Sequence, residues 1–395
     1  MPSLTIWMLS LCQAMMTAAN SLVVTTSALV GLHLSGSGLA ATLPSALVHI
    51  ANTTSTMPAS LLMAKIGRKA GFGMAAVIGM FGGWLAMYAI TEESYFLFCL
   101  AAVFFGVFNG FGAYFRFAAA EVVEPSRKAR ALSYVLAGGV LAALIGPSLA
   151  DRSKEIIDGF LFAGSYASLI GVYLLVGFAV MLMTIPKPSL QETSGPSRPL
   201  GEIVSSNTFR LAALAAAVGY ANMAMLMNAT PLAMHDSSIV FSDTALVIQW
   251  HVFAMFFPSF FTGRIIEVIG TVRVIMIGAV LGVVCIFSAI AGEDFWNYWF
   301  ALFVLGLSWN FLFIGGSTLV TTSYQPAEKA KAQGANDFLV FGLVALGTLL
   351  AGPLVTKFGW VALNYIALPL YIVTLVFAMI YRTPATSAVH SNSAG

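Results

Sequence analysis

The ten residues at 60–69, "SLLMAKIGRK", place three cations and a glycine between two long apolar runs. Only 9% of the 395 residues are charged, so three positive side chains in one short connector are a marked concentration. Gly67 permits a tight turn there because it has no side chain. The stretch predicts a short loop that joins two membrane-crossing helices and holds its positive charge at one membrane face.

The rest of the chain has the composition of a membrane protein. Hydrophobic residues make up 59% of it and the mean hydropathy is +0.90, whereas soluble domains are about 45–50% apolar. A helix needs about 20 mostly apolar residues to cross a bilayer, and twelve such runs can be traced. Spans 1 to 6 are predicted at 5–32, 38–64, 70–91, 95–121, 129–150 and 160–185. Spans 7 to 12 are predicted at 207–234, 240–263, 272–292, 295–320, 328–354 and 359–381.

Two other interpretations of the apolar runs and cysteines are disfavoured. Span 1 is too long for a signal peptide, lacks a basic segment before it and leads directly into another membrane run. The cysteines, Cys12, Cys99 and Cys285, all fall inside spans without metal-ligand or disulfide spacing. We therefore predict a true first span and no metal site.

The positive charges predict how the chain is oriented. With the N-terminus in the cytoplasm, fourteen of the eighteen Lys and Arg residues fall on the cytoplasmic side and three outside, with Arg116 inside a span. This asymmetry is what the positive-inside rule describes. Both chain ends are therefore predicted to be cytoplasmic.

The chain also contains an internal repeat. A segment rich in Pro, Ser and Gly divides the twelve spans six and six. A shift of 201 residues places "EPSRKARA" at 124–131 on "QPAEKAKA" at 325–332, and Asn109 on Asn310. Two such halves are typical of alternating-access carriers. We predict an N-terminal six-helix bundle at 1–185, a cytoplasmic linker at 186–206, a C-terminal bundle at 207–382 and a disordered cytoplasmic tail at 383–395.

Three segments resemble motifs of the major facilitator superfamily. The 60–69 stretch is similar to its loop G-x-L-A-D-R-x-G-R-K between spans 2 and 3, with Ser60 and Ala64 replacing the first glycine and the acidic residue. "GRIIEVIGTVR" at 263–273 resembles the degenerate copy between spans 8 and 9. "NGFGA" at 109–113 resembles R-x-x-Q-G-x-G-A-A in span 4, with Gly106 in place of the arginine. The resemblance implies an all-α membrane protein with twelve helices in two pseudo-symmetric bundles.

The same resemblance implies that the opening loop is a conformational latch. Its cations would pair with acidic residues of neighbouring spans in one of two states, and Glu121 is the predicted partner of Arg68. The alternative is that these cations only set the topology. The predicted latch residues are Lys65, Gly67, Arg68, Lys69, Glu121 and Glu267.

Ionisable side chains at membrane depth are functional candidates because they are costly there. We predict an Arg116–Asp337 bridge that closes the inner gate, since spans 4 and 11 approach each other there in this superfamily; the alternative is that both side chains reach the membrane interface. His49 and His251 lie at matching depths of the two halves and are candidate proton carriers. The alternative for each histidine is a packed hydrogen-bonding role.

Polar residues at helical spacing predict a cavity. Gln13, Thr17 and Asn20 form one stripe on span 1 at i, i+4 and i+7, and in this superfamily spans 1, 4, 7 and 10 line the cavity. Hydrogen bonding between helices is the alternative. The predicted substrate-binding residues are Gln13, Thr17, Asn20, Asn52, Thr53, Asn109, Tyr134, Tyr220, Gln249, Trp250, Trp309 and Asn310. Such a lining suits a neutral or weakly charged planar solute.

We therefore predict a secondary transporter in a bacterial inner membrane that moves a small organic solute by alternating access. The sequence contains no nucleotide-binding loop, so we do not expect transport to be driven by ATP. It contains no cluster of side chains typical of an enzyme, and we expect no cofactor and no nucleic acid. Uptake of a vitamin-like or flavin-like compound, as by the riboflavin carriers of this superfamily, is the leading expectation. Proton-coupled efflux is the alternative, although only Gly146-Pro147 remains of the exporter motif in span 5; a receptor or channel is a third. The expected partners are the substrate, the lipid bilayer and protons, with the protein as a monomer.

Overall fold

The computed structural model describes residues 4–115, 118–119, 122–123, 128–185, 197–325 and 328–381. Spans 1 to 6 are the helices Leu4–Ser35, Leu43–Ile66, Arg68–Thr91, Tyr95–Gly112, Lys128–Ser153 and Ala163–Leu182. Spans 7, 9 and 10 are Asn207–Asp236, Thr271–Ile290 and Phe295–Val320. Span 8 is a bent pair, Phe241–Phe256 and Ser259–Ile269, and spans 11 and 12 share the helix Lys329–Ile380.

The last helix is long enough to cross a bilayer twice. It has 52 residues, or about 78 Å at 1.5 Å per residue, against a hydrocarbon core of about 30 Å. Gly359 interrupts it with φ 79° and ψ 172°, a conformation that favours glycine. The interruption coincides with the predicted start of span 12, so this helix accounts for two spans.

Length and composition agree with a membrane location. Eight described helices are long and apolar enough to cross a bilayer, and the bent pair of span 8, with an angle of 42°, is a ninth. The helix Lys329–Ile380, which contains both span 11 and span 12, is counted as one of the eight. Spans 2 and 5 are long enough too, with 24 and 26 residues, but they carry more polar and charged side chains. The exposed faces are apolar, as for Phe178 (61%) and Met181 (74%), which suits contact with lipid.

Each half has its own apolar core, and the two cores are built alike. One core takes its residues from positions 6–183, and the other takes nearly all of its residues from 203–378. In the first half Gly106 lets span 4 approach span 2, because an added Cβ would lie 2.4 Å from the Val48 carbonyl oxygen. In the second half Gly306 does the same for spans 10 and 8, at 2.5 Å from the His251 carbonyl oxygen. An arginine at Gly106, as in the superfamily motif, would not fit.

The two loop glycines singled out by sequence adopt one conformation. Gly67 has φ 89° and ψ 154°, and Gly270 has φ 89° and ψ 151°. Each ends one helix and begins the next, and only glycine takes such a positive φ at little cost. The tight turn predicted for the 60–69 stretch is therefore present in both halves.

The halves meet at the end of the bundle that is the outer face in the predicted topology. Gly352 N–H on span 11 donates to Thr42 Oγ1 before span 2 at 3.0 Å, and Thr42 Oγ1 donates to the Leu349 carbonyl at 3.4 Å. The connection between spans 5 and 6 meets the start of span 8 nearby, where the Phe162 and Phe241 rings are 4.8 Å apart. The bundle is closed at this end.

The end of the predicted linker is folded onto the second half. Residues 186–196 lie outside the described part of the chain, whereas Leu200–Ser205 forms a short helix. The Arg198 guanidinium donates to both carboxylate oxygens of Glu328, at 2.8 and 2.7 Å, and its backbone N–H donates to Oε1 at 2.8 Å. Gln325 N–H donates to Oε2 at 2.8 Å. The Arg198 side chain, helped by these amides, lowers the pKa of Glu328 to about 2, so the enclosed carboxylate stays ionised.

Candidate substrate-binding cavity

A cavity of about 320 Å³ lies between the halves, below the closed end. Spans 1, 2 and 4 line it from the first half, and spans 7, 8, 10 and 11 line it from the second. Its volume falls in the range of small-molecule sites, about 300–1,000 Å³. The cavity is therefore large enough for an organic solute.

The first half contributes a polar wall. Asn109 Nδ2 donates to Asn20 Oδ1 at 2.8 Å, which joins spans 4 and 1, and Gln13 Nε2 donates to Thr17 Oγ1 at 3.3 Å. Asn52 lines the cavity as well, and its Oδ1 has no hydrogen-bond partner among the described residues. The stripe predicted on span 1 thus faces the cavity and also bonds across to span 4.

The second half contributes an aromatic wall. The rings of Trp309 and Phe313 stack at 5.1 Å with an angle of 14°, and Tyr220 meets both edge-on at 5.5 and 5.2 Å. Phe341 and Phe256 extend this wall from spans 11 and 8. Such rings offer a flat apolar surface for a planar solute.

Tyr220 and Trp309 line the cavity as the sequence predicted, but several other lining residues were not among those predicted. The missed ones with polar or aromatic side chains are Ser21, Ser45, Asn228, Phe256, Phe313 and Phe341. Asn228 could have been predicted from the sequence. One face of span 7 carries, at helical spacing, Tyr220, Met223, Met227 and Asn228. Phe256, Phe313 and Phe341 gave no such signal, since each is one Phe among 30.

Four predicted cavity residues lie elsewhere, three of them on spans 2 and 8. Trp250 is 38% exposed and packs against Trp299 and Phe303 on the outside of spans 8 and 10, so the prediction that it lines the cavity is wrong. Gln249 is turned to span 5, where its Oε1 accepts from Ser148 Oγ at 3.3 Å. Thr53 donates to the His49 carbonyl of its own helix at 2.9 Å and is not part of the cavity wall.

Asn310 is a structural residue rather than a cavity residue. It is fully buried, and its Nδ2 donates to the Met255 carbonyl and to Ser259 Oγ, both at 2.7 Å. Its Oδ1 accepts from Thr262 Oγ1 at 2.6 Å. These bonds bridge the break in span 8 at Pro258, where the helix loses backbone hydrogen bonds that lipid cannot replace. Its repeat partner Asn109 lines the cavity instead.

The two histidines are not equivalent. His49 lines the cavity, whereas His251 is fully buried and its Nδ1 lies 2.7 Å from the Leu302 carbonyl. His49 precedes Gly67 by eighteen residues and His251 precedes Gly270 by nineteen. One residue turns a side chain by about 100° around a helix, which moves His251 out of the cavity and into the core. The two do not form a matched pair.

Several predicted residues lie wholly or partly outside the described residues. Arg116 and Glu121 are among them, and the side chain of Tyr134 is also outside. Asp337 is exposed and accepts from Asn336 Nδ2 at 3.2 Å. The Arg116–Asp337 and Arg68–Glu121 bridges therefore remain predictions.

The opening loop contacts its neighbours through two of its cations. Lys69 Nζ donates to the carbonyls of Met181 and Met183, both at 2.8 Å, at the end of span 6. The Arg68 guanidinium lies 5.7 Å from the centre of the Tyr114 ring, within range of a cation–π contact. Lys65 and Glu267, the other predicted latch residues, are exposed.

The charge of the cavity limits what it can hold. Among the described lining residues none is Asp, Glu, Lys or Arg, and His49 is the titratable imidazole. Phosphates and dicarboxylates are usually held by Arg or Lys. The described wall thus suits an uncharged solute with both apolar and polar parts.

Two repeated helical bundles around such a central cavity define a membrane carrier of the alternating-access class. The Major Facilitator Superfamily profile matches residues 9–236 and 212–395. The chain belongs to this superfamily, and the predicted all-α fold with two six-helix bundles is confirmed as its fold class. It is a transporter, as the sequence predicted.

Similar proteins extend along most of the chain. The riboflavin transporter RfnT of Brucella anthropi is 36% identical over 387 residues, which cover 97% of each protein. Two uncharacterized MFS-type transporters of Bacillus subtilis, YdeG and YddS, are 27% and 25% identical. The match to YdeG covers 92% of this chain and 88% of YdeG, and the match to YddS covers 86% of this chain and 82% of YddS.

Proposed function

We propose that this protein takes up riboflavin, or a flavin of closely similar structure, across a bacterial inner membrane. The observation that carries the proposal is the 36% identity with a riboflavin transporter along 97% of both chains. In this proposal the protein acts as a monomer in the lipid bilayer, with both chain ends in the cytoplasm.

The chemistry of the cavity supports a flavin as substrate. Riboflavin is uncharged at neutral pH and joins a planar aromatic ring system to a chain of hydroxyl groups. The aromatic wall around Trp309 and Tyr220 offers stacking surface, and the polar wall around Asn20 and Asn109 offers hydrogen-bonding groups. Phosphorylated flavins should be poor substrates, because the described lining residues include no Arg or Lys.

The arrangement of spans 2 and 11 supports an inward-facing state. They touch at Thr42 and Gly352, at the outer end of the proposed topology. Further along the same helices, Met57 and Phe338 are each 71% exposed, as expected of spans that separate toward the cytoplasm. Transport then requires the halves to rock so that the outer contact opens and the cytoplasmic ends close.

The charged groups at the cytoplasmic face would bias this rocking. Lys69 and Arg68 tie the opening loop to spans 6 and 4 in the present state. The proposed Arg116–Asp337 bridge would close the inner gate in the other state. Measurement of riboflavin uptake by the Asp337→Asn variant tests this bridge. His49, which faces the cavity, is the residue on which proton coupling would rest.

The test is uptake of radiolabelled riboflavin into proteoliposomes that contain the purified protein. We expect saturable uptake above that of empty vesicles, acceleration by riboflavin loaded inside, and no competition by the phosphorylated flavin. Counterflow distinguishes a carrier from a channel. An imposed pH gradient, with His49→Gln as the matched variant, tests proton coupling and separates uptake from proton-driven efflux. Absence of riboflavin transport in active vesicles would refute the proposal.

A further inference from the structure

The two walls of the cavity divide the chemistry of the site between the two halves of the protein. Among the described residues, five aromatic rings of Phe, Tyr and Trp line it, and all five belong to the second half, on spans 7, 8, 10 and 11. The described lining residues of the first half include none of these rings, and most of them are amides, hydroxyls or an imidazole. A solute with one flat apolar end and one hydroxylated end can satisfy both walls in only one orientation.

The rings of the aromatic wall pack against one another in the absence of a solute. Tyr220 lies edge-on to three rings, those of Trp309, Phe313 and Phe341, at 5.5, 5.2 and 5.8 Å. Phe256 lies edge-on to Trp309 at 5.8 Å. Rings that contact each other in this way have little freedom to rearrange, which favours binding of a flat ring system.

Two buried polar atoms belong to residues that line the cavity from the second half. Trp309 is 6% exposed and Asn228 is 1% exposed, and both line the cavity. Trp309 Nε1 and Asn228 Oδ1 have no hydrogen-bond partner among the described residues. Asn228 Nδ2 is occupied, because it donates to the Ala224 carbonyl at 2.8 Å. One donor and one acceptor on cavity-lining residues are thus without a partner among the described residues in this state, and buried polar atoms without partners are costly.

The polar wall offers groups that both donate and accept. Ser21 and Ser45 have hydroxyls without a partner among the described residues, and Asn52 has an amide oxygen in the same condition. All three line the cavity from spans 1 and 2. A chain of hydroxyl groups needs this mixture, since each hydroxyl both donates and accepts.

We propose that the flavin binds in one fixed orientation. Its ring system stacks on the aromatic wall of the second half, with the C=O and N–H groups of the pyrimidinedione edge on Trp309 Nε1 and Asn228 Oδ1. Its hydroxyl chain lies along the polar wall of the first half, at Asn52 and the two serines. This inference rests on the proposed function and deepens it. Since the solute then contacts both halves, its binding can favour the state in which they enclose it.

A comparison of two ligands tests the orientation. Riboflavin and lumiflavin share the ring system, but lumiflavin carries a methyl group in place of the hydroxyl chain. Affinity of the purified protein for both is measured by quenching of flavin fluorescence. Asn52→Leu should weaken riboflavin about tenfold and leave lumiflavin unchanged, because only the hydroxyl chain loses a partner.

Two substitutions of tryptophan complete the comparison. Trp309→Phe keeps a ring but removes the N–H, so it should weaken both ligands by the same factor, about tenfold. Trp250→Phe is the matched control, since that indole lies on the outside of the bundle, and it should change neither. If Trp309→Phe does not fold, Phe313→Leu provides the second-half variant with the same expected pattern.

Each outcome decides the orientation. Equal weakening of both ligands by Asn52→Leu, or selective weakening of riboflavin by Trp309→Phe, would overturn it. Retained lumiflavin affinity in Asn52→Leu also shows that this variant is folded. If the wild-type protein binds neither ligand, the proposed function itself fails, which is a separate result.

Discussion

Closure of the outer end depends on a close contact at Gly352. A Cβ added there would lie 2.8 Å from the Gly38 carbonyl oxygen and 2.8 Å from Thr42 Oγ1. The first of these atoms is backbone and cannot move aside without shifting the loop between spans 1 and 2. Gly352→Ala should therefore disfavour the state in which the outer end is closed.

The size of the effect follows from the contact. Overpacking of a close interface by one methyl group costs about 1–3 kcal/mol, and the Gly352 N–H bond to Thr42 Oγ1 is weakened as well. If the other state is free of this contact, the equilibrium between the two moves by about 5- to 150-fold. Gly342→Ala on the same helix is the control, because a Cβ there meets nothing within 4 Å. Both substitutions raise the helix propensity by the same amount, so the difference between the two variants measures the effect of the close contact at Gly352.

The assay is labelling of a cysteine that lies below the outer closure. Ser45→Cys, in a protein whose native cysteines are replaced, is treated from outside right-side-out vesicles with a membrane-impermeant thiol reagent. Ser45 is 2% exposed and lines the cavity, so its labelling reports opening of the outer end. We expect faster labelling with Gly352→Ala than with Gly342→Ala. Equal rates in the two variants would show that this contact does not control closure.

Three further predictions concern single side chains. Glu328→Gln should speed hydrogen exchange of the Arg198 and Gln325 amides at neutral pH. Because the pKa of Glu328 is lowered to about 2, wild-type protection should hold above pH 4.5 and be lost as the pH falls toward 2; a pH-independent profile would contradict this. Asn310→Ala should lower the free energy of unfolding by about 2 kcal/mol, because three hydrogen bonds of about 0.6 kcal/mol each are lost. Unfolding in detergent measures this loss, and the folded fraction should retain its affinity for riboflavin. Trp250→Ala should leave the KM of uptake unchanged, and a raised KM would place that indole in the site after all.

Much of the architecture could be predicted because bilayer physics constrains the sequence strongly. The twelve apolar runs and the loop glycines follow from the length of a spanning helix and the cost of positive φ. The stripe Gln13, Thr17 and Asn20 was predicted to face a cavity, and it does, because polar side chains in a span need partners or water.

The orientation of individual residues around span 8 could not be predicted in the same way. Gln249, Trp250 and His251 are consecutive, yet they face span 5, the outside of the bundle and the core of the second half. In a soluble protein, water would separate the buried face from the exposed face. In a membrane the surrounding lipid is as apolar as the core, so hydropathy does not tell which face of a helix packs inward.

The sequence by itself determined that the chain crosses the membrane in two repeated halves with a polar stripe near its middle. Only the tertiary structure decided which rings form the aromatic wall, that Asn310 braces a broken helix while Asn109 faces the cavity, and that Glu328 clamps Arg198. These outcomes depend on how helices rotate and cross. Rotation and crossing are set by contacts between residues far apart in the chain, which local spacing does not record.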